Sequence, residues 1–251
     1  KAPDGRPSNW NAVVDALAPI YTQVTGAPPV LEISGPALAA RELMDKGYSL
    51  TELGKYVEAV AAYDRAIALQ PGDAWAWARK GRTLRLLGRL PGALEAYDES
   101  LRLHPAYAWA WKGKGIVLEK LGRYEEALDC HRAAGQIDPD DVWNWYNQAE
   151  SLQALGRVDE ALQALERGLA LDPQHANSWG RLGQLQRTLG HHQAAIDAYR
   201  KAIEIDPAYG WAHNGCGLAL RALGRPAEAL LSFKRAFSRR SLGTGTTSPK
   251  R

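Results

Sequence analysis

Residues 74–107 read AWAWARKGRTLRLLGRLPGALEAYDESLRLHPAY, and this stretch decides the fold. A Leu-Gly pair at Leu87-Gly88 divides it, and Pro105 stands near its end. Glycine readily adopts the left-handed conformation that ends a helix, and proline stops a helix because it lacks an N–H donor. The stretch therefore predicts two antiparallel helices joined by a short turn.

The same pattern recurs every 34 residues, which indicates a repeat architecture. The Leu-Gly pair is present in six copies, at Leu53-Gly54, Leu87-Gly88, Leu121-Gly122, Leu155-Gly156, Leu189-Gly190 and Leu223-Gly224. Prolines close the second helices at Pro71, Pro105, Pro139, Pro173 and Pro207, with Ser241 in the sixth slot. A small residue on each first helix is expected to let the two helices approach closely; these are Gly47, Gly81, Gly115, Ala149, Gly183 and Gly217.

One known family shows this pattern. The chain resembles the tetratricopeptide repeat (TPR) family over residues 40–243, through Trp77, Gly81, Leu84, Ala93, Tyr97 and Pro105 in order and spacing. The resemblance implies an all-α, right-handed superhelical solenoid of six TPR helix-turn-helix repeats. Their expected bounds are 40–73, 74–107, 108–141, 142–175, 176–209 and 210–243. His131 and Leu165 occupy the aromatic slot of the second helix, so we expect repeats three and four to pack differently.

The two ends of the chain lie outside the regular repeats. Residues 1–39 are expected to be an accessory segment, with a short helix around Trp10 and a proline-rich linker. This segment could cap the first repeat or be the remnant of an upstream domain. Arg239 replaces an apolar residue of the last helix, which predicts that this helix faces water, and residues 244–251 are expected to be a disordered basic tail.

Composition excludes several functional classes. The two cysteines, Cys130 and Cys216, are far apart and outside any CxxC motif, so neither a disulfide framework nor a structural zinc site is indicated. No run of about 18 apolar residues and no secretion signal is present, which predicts a soluble, cytoplasmic protein. The net charge of +3 depends on six basic residues among the last 20, and residues 1–231 carry 25 basic and 28 acidic residues. This balance does not favour a nucleic-acid partner.

The sequence shows no constellation of catalytic residues. The pair His191-His192 lacks a Cys, Asp or Glu partner at metal-ligand spacing, and no phosphate-binding or dinucleotide-binding glycine motif is present. We therefore expect no catalytic residue, no metal and no cofactor, and a protein that is not an enzyme.

If the TPR resemblance holds, the first helix of each repeat lines a concave groove that contacts the ligand. The residues predicted to bind are Trp75, Trp109, Trp143, Trp211, Tyr48, Tyr146, Arg82, Arg85, Lys112, Asn147, Arg187, Asn214 and Arg221. The four tryptophans each stand two residues before a repeat-forming position, so their side chains point about 200° away from that packed face. They could form a ladder along the groove, seal the seams between repeats, or do both.

These residues predict a protein-protein interaction scaffold whose ligand is a peptide with hydrophobic anchors and acidic residues. A small-molecule substrate is not expected. The groove lacks the carboxylate clamp of chaperone-binding TPR domains, because Met44 and Tyr48 occupy clamp positions. Two alternatives stay open: a single-stranded nucleic-acid binder, since arginine and stacking aromatics suit such ligands, or the regulatory arm of a larger enzyme.

Overall fold

The computed structural model describes residues 35–237 together with Pro19. The predicted helix around Trp10, the terminal residues Arg239 and Ser241, and the tail at 244–251 lie outside the described residues.

Residues 35–237 form twelve α-helices and no strand. In chain order they are α1 Gly35–Glu52, α2 Tyr56–Leu69, α3 Ala74–Leu86, α4 Leu90–Leu103, α5 Ala108–Lys120, α6 Tyr124–Ile137, α7 Val142–Ala154, α8 Val158–Leu171, α9 Ala176–Thr188, α10 His192–Ile205, α11 Gly210–Ala222 and α12 Pro226–Phe237. Odd-numbered helices are the first helices of the repeats and even-numbered helices are the second. The helix pairs follow the predicted period of 34 residues, so the all-α solenoid of six repeats is confirmed.

The first helix begins before the expected start of the first repeat. It begins at Gly35, upstream of the predicted repeat start at residue 40, so Gly35-Pro36 belong to its first turn instead of a linker. Proline is tolerated there because the first N–H groups of a helix have no intrahelical acceptor.

The predicted role of the Leu-Gly pairs is confirmed. All six glycines have positive φ, between 71° and 81°, directly after the first helix of each repeat. At Gly88, for example, the next N–H, that of Arg89, donates to the carbonyl of Leu84 at 2.9 Å. The left-handed residue therefore satisfies carbonyls at the helix end and reverses the chain within a short turn.

Within each repeat, one large side chain of the second helix fills the space that a small residue leaves on the first helix. A Cβ atom added to Gly81 would lie 3.1 Å from the Tyr97 ring, and one added to Gly183 would lie 2.9 Å from Tyr199. In the fourth repeat the partner is the smaller Leu165, and the first helix carries Ala149. The small residues thus make room for a ring.

Repeats three and four have interior details of their own, as their sequences suggested. His131 is fully buried, and its Nε2 lies 3.3 Å from Oε1 of Glu119. The hydroxyl of Ser151 donates to the same carboxylate oxygen at 2.7 Å, which links the two repeats. Polar contacts therefore replace part of the apolar packing at this junction.

The first helices form the inner side of the array. Contacts between first helices of neighbouring repeats join α1 to α3, α3 to α5, α5 to α7 and α9 to α11. In the described part of the chain, no pair of second helices makes a contact of similar extent. The array curves toward the side on which its helices are closer, so the odd-numbered helices line the concave face, called the groove below.

Two observations bear on the classes that composition excluded. Cys130 and Cys216 are free and buried, and burial raises the pKa of the Cys130 thiol to about 11, so it stays protonated at neutral pH. No helix between residues 35 and 237 combines the length and the apolar character that crossing a bilayer requires.

Candidate functional site

The tryptophans at the repeat-forming position have a structural role. Three of them donate the indole N–H to the carbonyl of the proline six residues earlier, where the preceding repeat ends. The pairs are Trp77 with Pro71 at 3.1 Å, Trp111 with Pro105 at 2.8 Å and Trp179 with Pro173 at 2.9 Å. In the sixth repeat, Nε2 of His213 lies 3.2 Å from the carbonyl of Pro207. These rings hold the second, third, fifth and sixth repeats to the repeat before them.

The tryptophans two positions earlier are more accessible. Trp75, Trp143 and Trp211 are 54%, 42% and 42% exposed, on α3, α7 and α11 of the groove. Trp109 differs because it is half-buried and packs against the core around Tyr97. Three of the four tryptophans predicted to bind thus have exposed indoles, and the fourth contributes to a seam between repeats.

The N-terminal end of the groove contains a cavity of about 860 Å³ between α1 and α3. Tyr48 and Trp75 lie on its wall, and the guanidinium of Arg79 stacks 5.0 Å above the Tyr48 ring. The remaining lining residues are Ala37, Leu38, Arg41, Met44, Asp45, Gln70 and Asp73. The cavity therefore combines aromatic and aliphatic walls with cationic and acidic groups.

Trp75 and Trp143 each contact aromatic residues from the junction with the next repeat. Trp75 lies 6.1 Å from His104 and 5.8 Å from Tyr107, both in edge-on arrangements. Trp143 lies 4.6 Å from the ring of His175, which is held by Ser178 at 2.7 Å. Burial lowers the pKa of His175, so its ring is neutral at pH 7. These neighbours hold each indole by one edge and leave the rest of its surface accessible.

Arg181 connects the middle of the groove to its C-terminal part. Its guanidinium lies 5.5 Å from the ring of Tyr146 and 5.7 Å from that of Trp211. It also donates to the Tyr146 hydroxyl at 3.0 Å and pairs with the carboxylate of Glu150. Burial raises the pKa of Glu150, while the positive charge of Arg181 opposes that rise. The second half of the groove is therefore held by a partly buried polar network.

The predicted cations fall into two groups. Arg82 pairs with Glu52 at 2.9 Å, and Lys112 pairs with Asp141 at 2.5 Å, so acidic neighbours neutralise both. Arg85 and Arg187 make no ion pair with any described residue. Each lies close enough to act electrostatically on a buried tyrosine hydroxyl, that of Tyr97 for Arg85 and that of Tyr199 for Arg187. The uncompensated charge of the groove thus includes these two arginines, the exposed Arg221 and Arg79, which also make no ion pair within residues 35–237.

The other predicted residues lie on the first helices with different accessibility. Asn214 and Arg221 are exposed on α11, whereas Asn147 on α7 is only 6% exposed. Burial leaves Asn147 little surface with which to contact a ligand directly.

Sequence reasoning missed the aromatic residues at the start of the first helices. Tyr107 and Tyr209 stand two residues before a groove tryptophan, and His175 holds the same repeat position before Asn177. Arg79 and Arg181 were not among the predicted ligand contacts. Asp73 and Asp141 hold the same position elsewhere and cap their helices by accepting backbone N–H groups. The sequence signal that could have revealed these residues is the recurrence of large rings at a position that otherwise caps the helix.

The histidine pair considered in the sequence does not assemble a metal site. Nδ1 of His191 lies 2.9 Å from Oε1 of Gln186, and within residues 35–237 no three His, Cys, Asp or Glu side chains lie together as metal ligands would.

The fold and its groove define a class of helical-repeat protein with an open, aromatic-lined concave face. The tetratricopeptide repeat model matches residues 44–108, 79–142 and 146–210, and a second model of the same description matches 210–230. The chain belongs to the tetratricopeptide repeat family. This fold indicates a protein-protein interaction scaffold.

Solved structures resemble the chain over most of its length. PilF of Pseudomonas aeruginosa aligns with a TM-score of 0.71 and 17% identity, over 85% of this chain and 96% of its own. MamA aligns with a TM-score of 0.58 and 26% identity, over 65% and 96%. YrrB, described as a TPR protein with an unusual peptide-binding site, aligns with a TM-score of 0.55 and 23% identity, over 72% and 93%. None of the curated protein sequences compared with the chain matches it.

Proposed function

We propose that the protein is a non-catalytic scaffold that binds an extended or helical peptide segment of a partner protein in its groove. The exposure of Trp75, Trp143 and Trp211 on the concave helices carries this proposal. Tryptophan is highly buried on average, and a tryptophan exposed at a protein interface supplies a large share of the binding energy. Three such rings along one groove offer separate anchor points for apolar side chains.

The charge of the groove specifies the partner further. Arg79, Arg85 and Arg187 make no ion pair within the described residues, and the rings beside them provide an apolar surround. A carboxylate bound at such a guanidinium gains a charge-assisted hydrogen bond, which is stronger than a neutral one. The proposed partner segment therefore has acidic residues beside its hydrophobic anchors. The peptide-binding site of YrrB, on the same fold, is in keeping with this function.

The test selects ligands without assuming their sequence. A random peptide library displayed on phage is panned against the immobilised protein, and affinities of synthesised hits are measured through quenching of tryptophan fluorescence. We expect W75A and W143A to weaken binding about tenfold or more each, because each removes an aromatic anchor. Circular dichroism should show unchanged helical content for both variants, since both rings are substantially exposed.

Val57→Ala is the matched control, because Val57 is 63% exposed on α2, outside the first helices. Its affinity should equal that of the wild type. Selected peptides that bind W75A and W143A as tightly as the wild type would show that the groove is not their binding site.

Single-stranded nucleic acid is the alternative ligand, because aromatic rings and arginines in one groove also suit stacked bases. The acidic residues Glu52, Asp141 and Glu150 pair with groove cations and reduce the charge available to a phosphate backbone. The two ligands are separated by a salt titration with a labelled oligothymidine. An association constant for the oligothymidine whose logarithm falls steeply with the logarithm of the salt concentration would favour nucleic acid as the ligand. The peptide proposal instead expects no measurable binding of the oligothymidine.

A further inference from the structure

Two places in the groove have the same construction. In the first, the Trp109 ring lies 6.0 Å from the Tyr107 ring in a stacked arrangement and 6.3 Å from the Tyr97 ring in an edge-on one. Tyr97 comes from α4 and Trp109 from α5, so the rings close the junction between the second and third repeats. We call these three residues the first aromatic box.

The second aromatic box consists of Tyr199, Tyr209 and Trp211, at the junction between the fifth and sixth repeats. Trp211 lies 5.8 Å from Tyr209 and 6.1 Å from Tyr199, with interplanar angles close to those of the first box. Each of its residues follows its counterpart by 102 residues, which is three periods of 34. The two boxes are therefore equivalent positions of the repeat.

Each box has two arginines in equivalent positions. Arg85 and Arg187 act electrostatically on the hydroxyls of the buried tyrosines, and the Nε atom of each is buried without a hydrogen-bond partner. Arg79 and Arg181 come from the preceding first helix and act electrostatically on the tyrosines at the start of the next one, Tyr107 and Tyr209. Each box thus joins three rings to two guanidinium groups.

A glycine completes each box. A Cβ atom added to Gly113 would lie 2.5 Å from the Tyr97 hydroxyl, and one added to Gly215 would lie 2.6 Å from the Tyr199 hydroxyl. Glycine is therefore required for the tyrosine ring to occupy this space against the next first helix. The same register has a side chain in the other four repeats, namely Asp45, Arg79, Asn147 and Arg181.

The other junctions of the described array lack this set. The position of Arg85 and Arg187 is taken in the other junctions by Thr51, Glu119 and Gln153. The position of Tyr107 and Tyr209 is taken by Asp73, Asp141 and His175. Since three positions change together, those of the glycine, of the arginine at Arg85 and Arg187, and of the tyrosine at Tyr107 and Tyr209, this groove chemistry repeats every three TPR units.

We infer that the two aromatic boxes are twin anchor sites for one extended peptide that carries two anchors of the same chemistry, each a carboxylate next to an aromatic side chain. The inference rests on the proposed peptide-binding function and specifies its ligand. The partly exposed rings of each box, its tryptophan and the tyrosine two residues before it, accept the aromatic side chain. The arginines without ion pairs among the described residues, Arg85 and Arg187, accept the carboxylate, because charge complementarity favours an anion there.

The spacing of the boxes sets the spacing of the anchors. Most first helices of adjacent repeats are direct neighbours, with α7 and α9 the exception on the stretch from α5 to α11. Packed helices lie about 8–10 Å apart, so three repeats separate the boxes by roughly 25–30 Å. An extended chain advances about 3.3 Å per residue, so about eight residues bridge that distance. A ligand with this spacing engages both boxes at once.

The two boxes differ in charge. Arg181 pairs with Glu150, whereas Arg79 makes no ion pair within residues 35–237. The first box is therefore more cationic, and a carboxylate anchor binds more tightly there than at the second.

The experiment uses synthetic peptides in calorimetric titrations of the full chain. One peptide carries a single Asp-Phe anchor in a Gly-Ser sequence, and three carry two anchors separated by two, eight or fourteen residues. We expect the eight-residue spacer to bind about a hundredfold more tightly than the single anchor, and the two-residue spacer to bind like the single anchor. R85Q and R187Q should each reduce the affinity of the eight-residue peptide to the single-anchor level.

Arg102→Gln removes the same charge from α4, outside the first helices, where Arg102 pairs with Glu99, and should leave all affinities unchanged. Equal affinity for all spacers, or equal effects of R85Q and R102Q, would overturn the twin sites. Failure of every Asp-Phe peptide to bind would also overturn the twin sites. The proposed function would still stand if the random library yields peptides that bind in the groove. If phosphoserine-Phe peptides bind more tightly than Asp-Phe peptides, the anionic group of the anchor is a phosphate instead of a carboxylate.

Discussion

The hydroxyl of Tyr97 is the residue-scale feature with a measurable pH signature. The side chain is 1% exposed, and desolvation raises its pKa to about 12, partly opposed by the positive charge of Arg85. In the unfolded chain the pKa of tyrosine is about 10, so between pH 10 and pH 12 the folded state binds a proton that the unfolded state has lost. The contribution of Tyr97 to stability is therefore complete below pH 10 and is lost as the pH rises toward 12.

We predict that the free energy of unfolding of the wild type falls between pH 8 and pH 11. The free energy of unfolding of Y97F should fall by about 1 kcal/mol less over that interval. Urea unfolding followed by circular dichroism at the two pH values measures this. The constant cost of removing the hydroxyl cancels, because only the difference between the two pH values is compared. A Y97F variant that loses as much stability as the wild type would show that Tyr97 does not titrate as the burial predicts.

At the scale of the helices, close approach depends on glycines that face rings. A Cβ atom at Gly113 of α5 would lie 2.4 Å from the Tyr97 ring, a distance that real atoms do not adopt, so either the ring or the helix must move. Gly92 of α4 is also helical, but a Cβ atom there would meet its nearest neighbour, Leu84, only at 3.6 Å. The two glycines thus have the same backbone setting and different surroundings.

We predict that G113A lowers the free energy of unfolding by about 1–3 kcal/mol, as overpacking of a filled interior does. G92A should leave it unchanged or raise it by up to about 1 kcal/mol, because alanine favours a helix more than glycine does. Urea denaturation of both variants is the measurement. Equal stabilities would mean that Tyr97 adjusts without cost.

At the scale of the whole molecule, stability is distributed along one dimension. Each repeat contacts only its neighbours, and among residues 35–237 the first and sixth repeats have one neighbouring repeat each. Opening an end repeat breaks one junction, whereas opening an interior repeat breaks two.

We therefore predict that amides of α5 to α8 exchange with deuterium more slowly than those of α1, α2, α11 and α12. Exchange followed by mass spectrometry of peptic fragments of the intact chain resolves these segments. Uniform protection along the array would show that the six repeats open as a single cooperative unit.

The sequence by itself determined the period, the helix pairs and the left-handed glycines, because these depend on local preferences that recur at fixed spacing. It also predicted which tryptophans point away from the repeat-forming position, since helix geometry relates residues two apart. Trp77 and Trp75 show the outcome, with one indole bonded to the preceding repeat and the other exposed.

Only the tertiary structure decided which groups of the groove remain free. Arg82 and Lys112 are neutralised by carboxylates 30 and 29 residues away, whereas Arg85 acts on the buried hydroxyl of Tyr97 instead. Such pairs form across helices and repeat junctions, where the distance between two side chains depends on how the helices pack. No local pattern contains that distance, so the arginines available to a ligand become visible only in the folded array.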